Sequence, residues 1–83
     1  MLDYIVDKRY FQRNAAVALG NLGKEEAVLA LTQAMQDPAE VVRGHAAWAL
    51  GKIGGSKAKR ILKVSLARET SEYVRGEITT ALA

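Results

Sequence analysis

Covalent catalysis needs a nucleophile, a base or a metal, and few residues in this chain could serve as any of them. None of its 83 residues is cysteine and one, His45, is histidine. Without cysteine there are no disulfides, thiolate metal sites, iron–sulfur ligands or thiol nucleophiles. No carboxylate or hydroxyl is placed by the sequence to make His45 a base, so it reads as a polar helix residue. The glycines at 20, 23, 51, 54 and 55 have neither Walker nor dinucleotide spacing and follow no strand, so they read as helix ends. What remains is charge. Arg43, Lys52, Lys57, Lys59, Arg60, Lys63 and Arg68 follow one another without an intervening Asp or Glu, although the whole chain carries only +3. Such segregation is the footprint of a surface that faces phosphates. It is also what the solvated face of an amphipathic helix looks like, and both readings stand at this point.

The elements that carry these bases follow from an internal repeat. Ala15-Ala16-Val17-Ala18-Leu19-Gly20-Asn21-Leu22-Gly23 returns as Ala46-Ala47-Trp48-Ala49-Leu50-Gly51-Lys52-Ile53-Gly54, displaced by 31 (Leu19 to Leu50). Val42-Arg43-Gly44 returns as Val74-Arg75-Gly76, displaced by 32. A period of this length holds two short helices and two turns. Asp37-Pro38-Ala39-Glu40 has the form of an N-terminal cap, with Asp37 as the acceptor and Pro38 at the first helical position. Val42, Ala46, Ala49, Leu50 and Ile53 then recur at helical spacing until Gly54-Gly55 ends the helix. Ser56 opens another, over roughly 57–68, which is expected to bury Ala58, Ile61, Leu62 and Ser65. Further helices are expected over 8–22, 24–36 and 71–83.

The expected fold is therefore all-α: a short α-solenoid of about two and a half helical pairs, roughly five helices in one domain over 1–83. The repeats fall near 8–36, 38–68 and 71–83, the last partial. No segment alternates apolar and polar residues as a half-buried strand would, and the many alanines favour helix. A composition of 49% apolar and 25% charged residues is that of an ordinary globular chain. No run approaches the roughly 18 apolar residues of a membrane span. Met1 to Asp7 lack the basic start and apolar stretch of a secretory signal, so a cytoplasmic location is expected.

The repeated strings resemble short HEAT repeats of the phycobilin-lyase type. More narrowly, Gln12-Arg13-Asn14-Ala15-Ala16-Val17-Ala18-Leu19-Gly20-Asn21, then Val42-Arg43-Gly44-His45-Ala46-Ala47-Trp48-Ala49-Leu50-Gly51, then Val74-Arg75-Gly76-Glu77-Ile78 with Ala81-Leu82, is similar to the C-terminal domain of the epoxyqueuosine reductase family. The resemblance covers nearly everything from about Gln12 onward. It implies a fragment of a tRNA-modifying oxidoreductase that reduces epoxyqueuosine to queuosine with cobalamin and two four-iron clusters held upstream. On that reading this chain is itself non-catalytic, binds no cofactor, lies beside the upstream catalytic domains and helps hold the tRNA.

Arg13, Arg43, Lys57, Lys59, Arg60 and Lys63 are then the candidate nucleic-acid contacts, positioning phosphates without reading bases. For Arg43 a structural role competes. Arg43 and Arg75 each follow an acid six positions earlier, Asp37 and Glu69, and such recurrence points to ion pairs laddered between stacked repeats. Trp48, which replaces Val17 of the earlier copy, is expected to plug the space between helices. Two other functions remain open: a HEAT scaffold whose basic segment meets an acidic protein partner, and a helper in cofactor handling such as the bilin lyases. Whether the chain is a fragment or free-standing is also open at this point.

Overall fold

A computed structural model describes residues 24–83. Four helices follow one another there: α1 (Lys24–Ala34), α2 (Glu40–Ile53), α3 (Gly55–Arg68) and α4 (Glu72–Leu82), with no strand among the described residues. The short helical solenoid expected from the period is present over these residues, and the helix expected over 8–22 lies outside them.

Each helix is amphipathic because its apolar residues recur every three or four positions, and each needs its neighbours to bury that stripe. Leu31, Val42, Leu50, Leu62, Val74 and Ile78 are the large side chains at the centre of the core, and Ala27, Ala30, Ala46, Ala47, Ala49 and Ala58 fill the spaces between them. No polar or charged residue is buried among the described residues. Trp48, partly buried, packs against this core between α2 and α4, as its place in the repeat suggests.

The closest helix pair is α2 with α4. A Cβ placed on Gly51 would stand 2.7 Å from the Cβ of Ala81, and one on Gly44 would stand 2.5 Å from the ring of Tyr73. Because 44 meets 73 and 51 meets 81, the two helices run parallel, as equivalent helices of successive repeats do. On the other side α1 and α3 touch only sparsely. They leave a hollow of about 170 Å³ lined by Thr32, Met35, Ile61 and Val64 among others. This opening corrects the expected burial on α3: Ala58 and Leu62 are buried, whereas Ile61 and Ser65 are only partly covered.

The turns also differ in detail from the sequence reading. α1 stops at Ala34 and not at Gln36, because Gln36 N donates to Gln33 O and Asp37 N to Ala34 O, tightening the last turn into three-residue steps. α2 starts at Glu40, two residues later than the Asp37-Pro38 cap implied. Ala39 is extended, at φ −83 and ψ 124, and no side chain caps the helix. Asp37 Oδ1 instead accepts from Ala39 N at 2.8 Å, closing a local turn ahead of the helix. Between α2 and α3 a single residue, Gly54, does the work of the turn: its N–H closes on Leu50 O, and its φ of 72 is a region that other residues rarely enter. At α4 the expected boundary holds, with Ser71 accepting from Val74 N.

The glycines of the two repeats therefore predict opposite outcomes. Gly51→Ala forces the Ala81 backbone away and is expected to destabilise the chain by about 1–3 kcal/mol. Gly76→Ala, where a Cβ meets nothing within 4 Å, is expected to stabilise it by about 0.5–1 kcal/mol through helix propensity alone. Thermal melts of the two variants beside the parent chain check both signs.

Candidate nucleic-acid interface

The bases singled out by sequence fall into two separate environments. Lys57, Lys59, Arg60 and Lys63 are all exposed on α3. Ala58 and Leu62 turn inward, so the four cations share the outward half of one helix, spaced at three and four residues. Arg13 lies outside the described residues.

The charge on α3 is unusual within this fold. α1, α2 and α4 each place an acid in the first turn (Glu25 and Glu26, Glu40, and Glu72 respectively), where it complements the positive end of the helix dipole. α3 has no acid in its first turn and none along its length. Lys57, Lys59 and Arg60 stand at its amino-terminal end and add to the dipole, and like charges three or four residues apart oppose helix formation by about 0.2–0.5 kcal/mol each. The arrangement concentrates positive potential on one exposed surface at some expense in helix stability.

Two further cations join this surface. Lys24 reaches the start of α3 from α1: its Nζ lies 3.3 Å from where a Gly55 Cβ would sit. The period carries the signal, since Lys24 and Gly55 are 31 apart and open equivalent helices, but the acid-free run of bases does not include Lys24. Arg68 is exposed at the other end of α3 and lines a hollow of about 310 Å³ between the α1–α2 turn and the α3–α4 turn. Lys52 belongs elsewhere: it sits on α2 with its Nζ 5.5 Å from the centre of the Trp48 ring.

Arg43 is committed to the frame. Its Nε and Nη2 donate to the two oxygens of Glu69, both at 2.9 Å, and Nη1 donates to the carbonyls of Asp37 and Pro38. The pair is well covered, with side chains 18% and 6% exposed. One rung of the laddered ion pairs expected from the recurrence is thus present, and it joins Arg43 to the acid of the next repeat and not to the Asp37 carboxylate. This engagement sets Arg43 apart from the exposed bases of α3.

The two-pronged contact with Arg43 holds the Glu69 carboxyl below its ordinary value of 4.5; burial opposes the shift, and the Ser71 amide, which donates to Oε2 at 3.0 Å, assists it. Arg43 is pushed up in turn by the same hydrogen bonds.

None of the described residues forms a cluster of His, Asp and Glu able to hold a metal ion. Iron–sulfur clusters require thiolates, and with no cysteine the residues of this chain do not fit them. No helix of the described residues is long and apolar enough to cross a membrane.

Residues 5–83 match the family described as HEAT repeats, and the chain belongs to that family. Its curated relatives are more specific. It is 41% identical to an epoxyqueuosine reductase of Bacillus cereus over 76 residues, which are 90% of this chain and 20% of that protein. The enzyme of the same name in Bacillus subtilis is 42% identical over 72 residues, 86% of this chain and 19% of that protein. That of Listeria monocytogenes is 40% identical over 73 residues, 87% and 19% respectively. The chain thus spans about a fifth of the length of the curated relatives it matches. No solved structure matches it.

Substitution of Glu69 tests the frame. Glu69→Gln is expected to cost about 1–3 kcal/mol at pH 7, the usual worth of hydrogen bonds to a charged group. The folded-state pKa lies below the unfolded one, so the parent's advantage is fully present above about pH 4.5. It disappears as the pH falls through the lower folded value. Urea melts of the two proteins from pH 7 down to about pH 2 should therefore converge at the acid end.

Proposed function

We propose that this chain is a non-catalytic helical module of an epoxyqueuosine reductase-like protein, and that its α3 surface holds tRNA by the phosphate backbone while catalysis takes place on other domains. The observation that carries this reading is the acid-free α3, whose exposed Lys57, Lys59, Arg60 and Lys63, flanked by Lys24 and Arg68, stand on one helix. Identity near 40% to proteins named for a tRNA nucleoside supports RNA as the polyanion.

The physics of such a surface is positional. Lysine and arginine meeting phosphate release condensed counterions, which supplies affinity without regard to sequence. Among the described residues the aromatic rings stand off α3: Trp48 is on α2 and Tyr73 on α4. The module therefore positions the tRNA and leaves base recognition to other domains. A cytoplasmic location accords with a tRNA ligand. The competing reading, a protein scaffold, draws on the exposed Leu29 and Val64 beside the basic face.

Titration of the chain with a tRNA anticodon stem-loop at several salt concentrations tests the proposal. Binding should weaken steeply with salt, and replacing Lys57, Lys59, Arg60 and Lys63 together by alanine should lower the salt slope by about one unit for each phosphate no longer neutralised. Arg43→Ala, in contrast, should reduce stability more than it reduces RNA affinity. Absence of binding at low salt, or a slope unchanged in the fourfold variant, would sink the tRNA reading and favour the scaffold.

A further inference from the structure

Lys57, Arg60, Val64 and Arg68 follow one another on α3 at three- and four-residue spacing, so they lie along one line of the helix surface. Three of the four are exposed bases. The other, Val64, is an apolar side chain left 51% exposed between two arginines.

Val64 interrupts the line of charge where α3 faces the hollow of about 170 Å³ beside α1. Met35, 7% exposed, is the buried part of its lining, and Ile61 joins Val64 as apolar wall. Thr32, Gln36 and Ser65 add hydroxyl and amide groups, Arg60 adds a cation, and no acid lines the hollow. The Thr32 hydroxyl already donates to Val28 O at 2.7 Å, so its oxygen is left to accept. Met35, Gln36, Val64 and Ser65 also line the larger hollow at the two turns, where Arg68 stands.

This lining narrows the choice of occupant. Pockets for drug-sized molecules run from about 300 to 1,000 Å³, so a hollow of about 170 Å³ suits one small ring system. A nucleobase has two apolar faces and an edge of donors and acceptors, which match the apolar wall and the polar groups beside it. The phosphates on either side of that base meet Arg60 and Arg68. The aliphatic anchor of an acidic peptide would satisfy the arginines but cover Gln36 and Ser65 without pairing them.

We propose that the hollow between α1 and α3 takes one unpaired base of an RNA whose phosphates lie along α3. The proposal rests on the phosphate reading of α3 given above and adds to it a preference for unpaired over paired RNA. Bases within a duplex are stacked and reach such a hollow only if they are unpaired and turned out. The base is held by valine, isoleucine, a methionine that adapts its shape, and the guanidinium plane of Arg60. Such a seat fits any base of suitable size and reads no sequence.

The full chain, isotope-labelled for amide spectroscopy, is titrated at one low salt concentration with an RNA stem-loop and with a blunt RNA duplex of equal phosphate number. The stem-loop alone should shift the amides of Met35, Ile61, Val64 and Ser65. It should bind about tenfold more tightly than the duplex, the low end of what one stacked base is worth. Abasic nucleotides placed at successive loop positions should lower its affinity to that of the duplex at one of them. Ser65→Leu, which fills the hollow, and Val64→Gln, which removes its apolar lip, should each abolish the preference for the stem-loop. Position 64 is exposed, so Val64→Gln should melt near the parent chain, and this separates loss of the seat from loss of the fold. The proposal is overturned if the two RNAs bind alike, if the stem-loop shifts no amide around the hollow, or if the preference survives both substitutions. In each of those cases a salt slope that falls when Lys57, Lys59, Arg60 and Lys63 become alanine still upholds the phosphate reading, whereas failure of both RNAs to bind defeats the two together. Growth in mass with concentration that Ser65→Leu abolishes would give the hollow to a second copy and overturn the proposal equally.

Discussion

The close approach of α2 to α4 governs the rest of the described structure. Two parallel helices can come this near only where side chains are all but absent, and the contact is made by Gly44 under Tyr73 and Gly51 against Ala81. With that layer closed, the α1 and α3 layer cannot close to the same degree, and the hollow beside Met35, Ile61 and Val64 is the geometric consequence. α3 therefore keeps only Ala58 and Leu62 fully buried and turns a broad face outward. A helix so lightly covered can carry charge on half its circumference without burying any of it. The basic surface is in this sense a product of the glycines on the opposite layer.

Electrostatics completes the division between frame and surface. Acids among the described residues stand mainly where they serve the fold: Glu25, Glu26, Glu40 and Glu72 at helix starts, Asp37 and Glu69 in the turns, with Glu69 also bridging to Arg43. None of these acids lies within α3 itself, although Glu69 caps its carboxyl end beside Arg68. Arg43 is held within the frame, its guanidinium meeting a carboxylate and two carbonyls. The cations of α3 face no such competition from an acid on their own helix.

How far the sequence revealed this depended on which interactions are periodic. Helix number and pairing over 24–83 followed from the 31 and 32 residue displacements, because burying one stripe per helix leaves a regular trace. The start of α2 did not, because Asp37 takes the amide of Ala39 in a local turn while Arg43 draws on the carbonyls of Asp37 and Pro38, a preference set by contacts distant in sequence. For the same reason the run of bases put Arg43 with Lys57, Lys59, Arg60 and Lys63, although its partner Glu69 lies 26 residues away. Lys24 went unnoticed beside α3 because charge runs are read along the chain while surfaces are assembled across repeats.

A module without cysteine, and with no metal cluster or buried polar residue among its described residues, need not be without purpose in an enzyme. Catalysis on a nucleoside within tRNA requires that a large, flexible polyanion be held in a fixed register, and the entropy of holding it can be met far from the reacting atoms. Helices in a stacked repeat suit that task because each is positioned by its neighbours on both sides. Their exposed side chains therefore keep fixed spacing, with little left to order when the ligand arrives. The same bases on a loop would have to be ordered upon binding, whereas on α3 the backbone that carries them is already set by Ala58, Leu62 and the one-residue turn at Gly54. On the proposed reading, what this chain contributes to the reaction is that prior ordering.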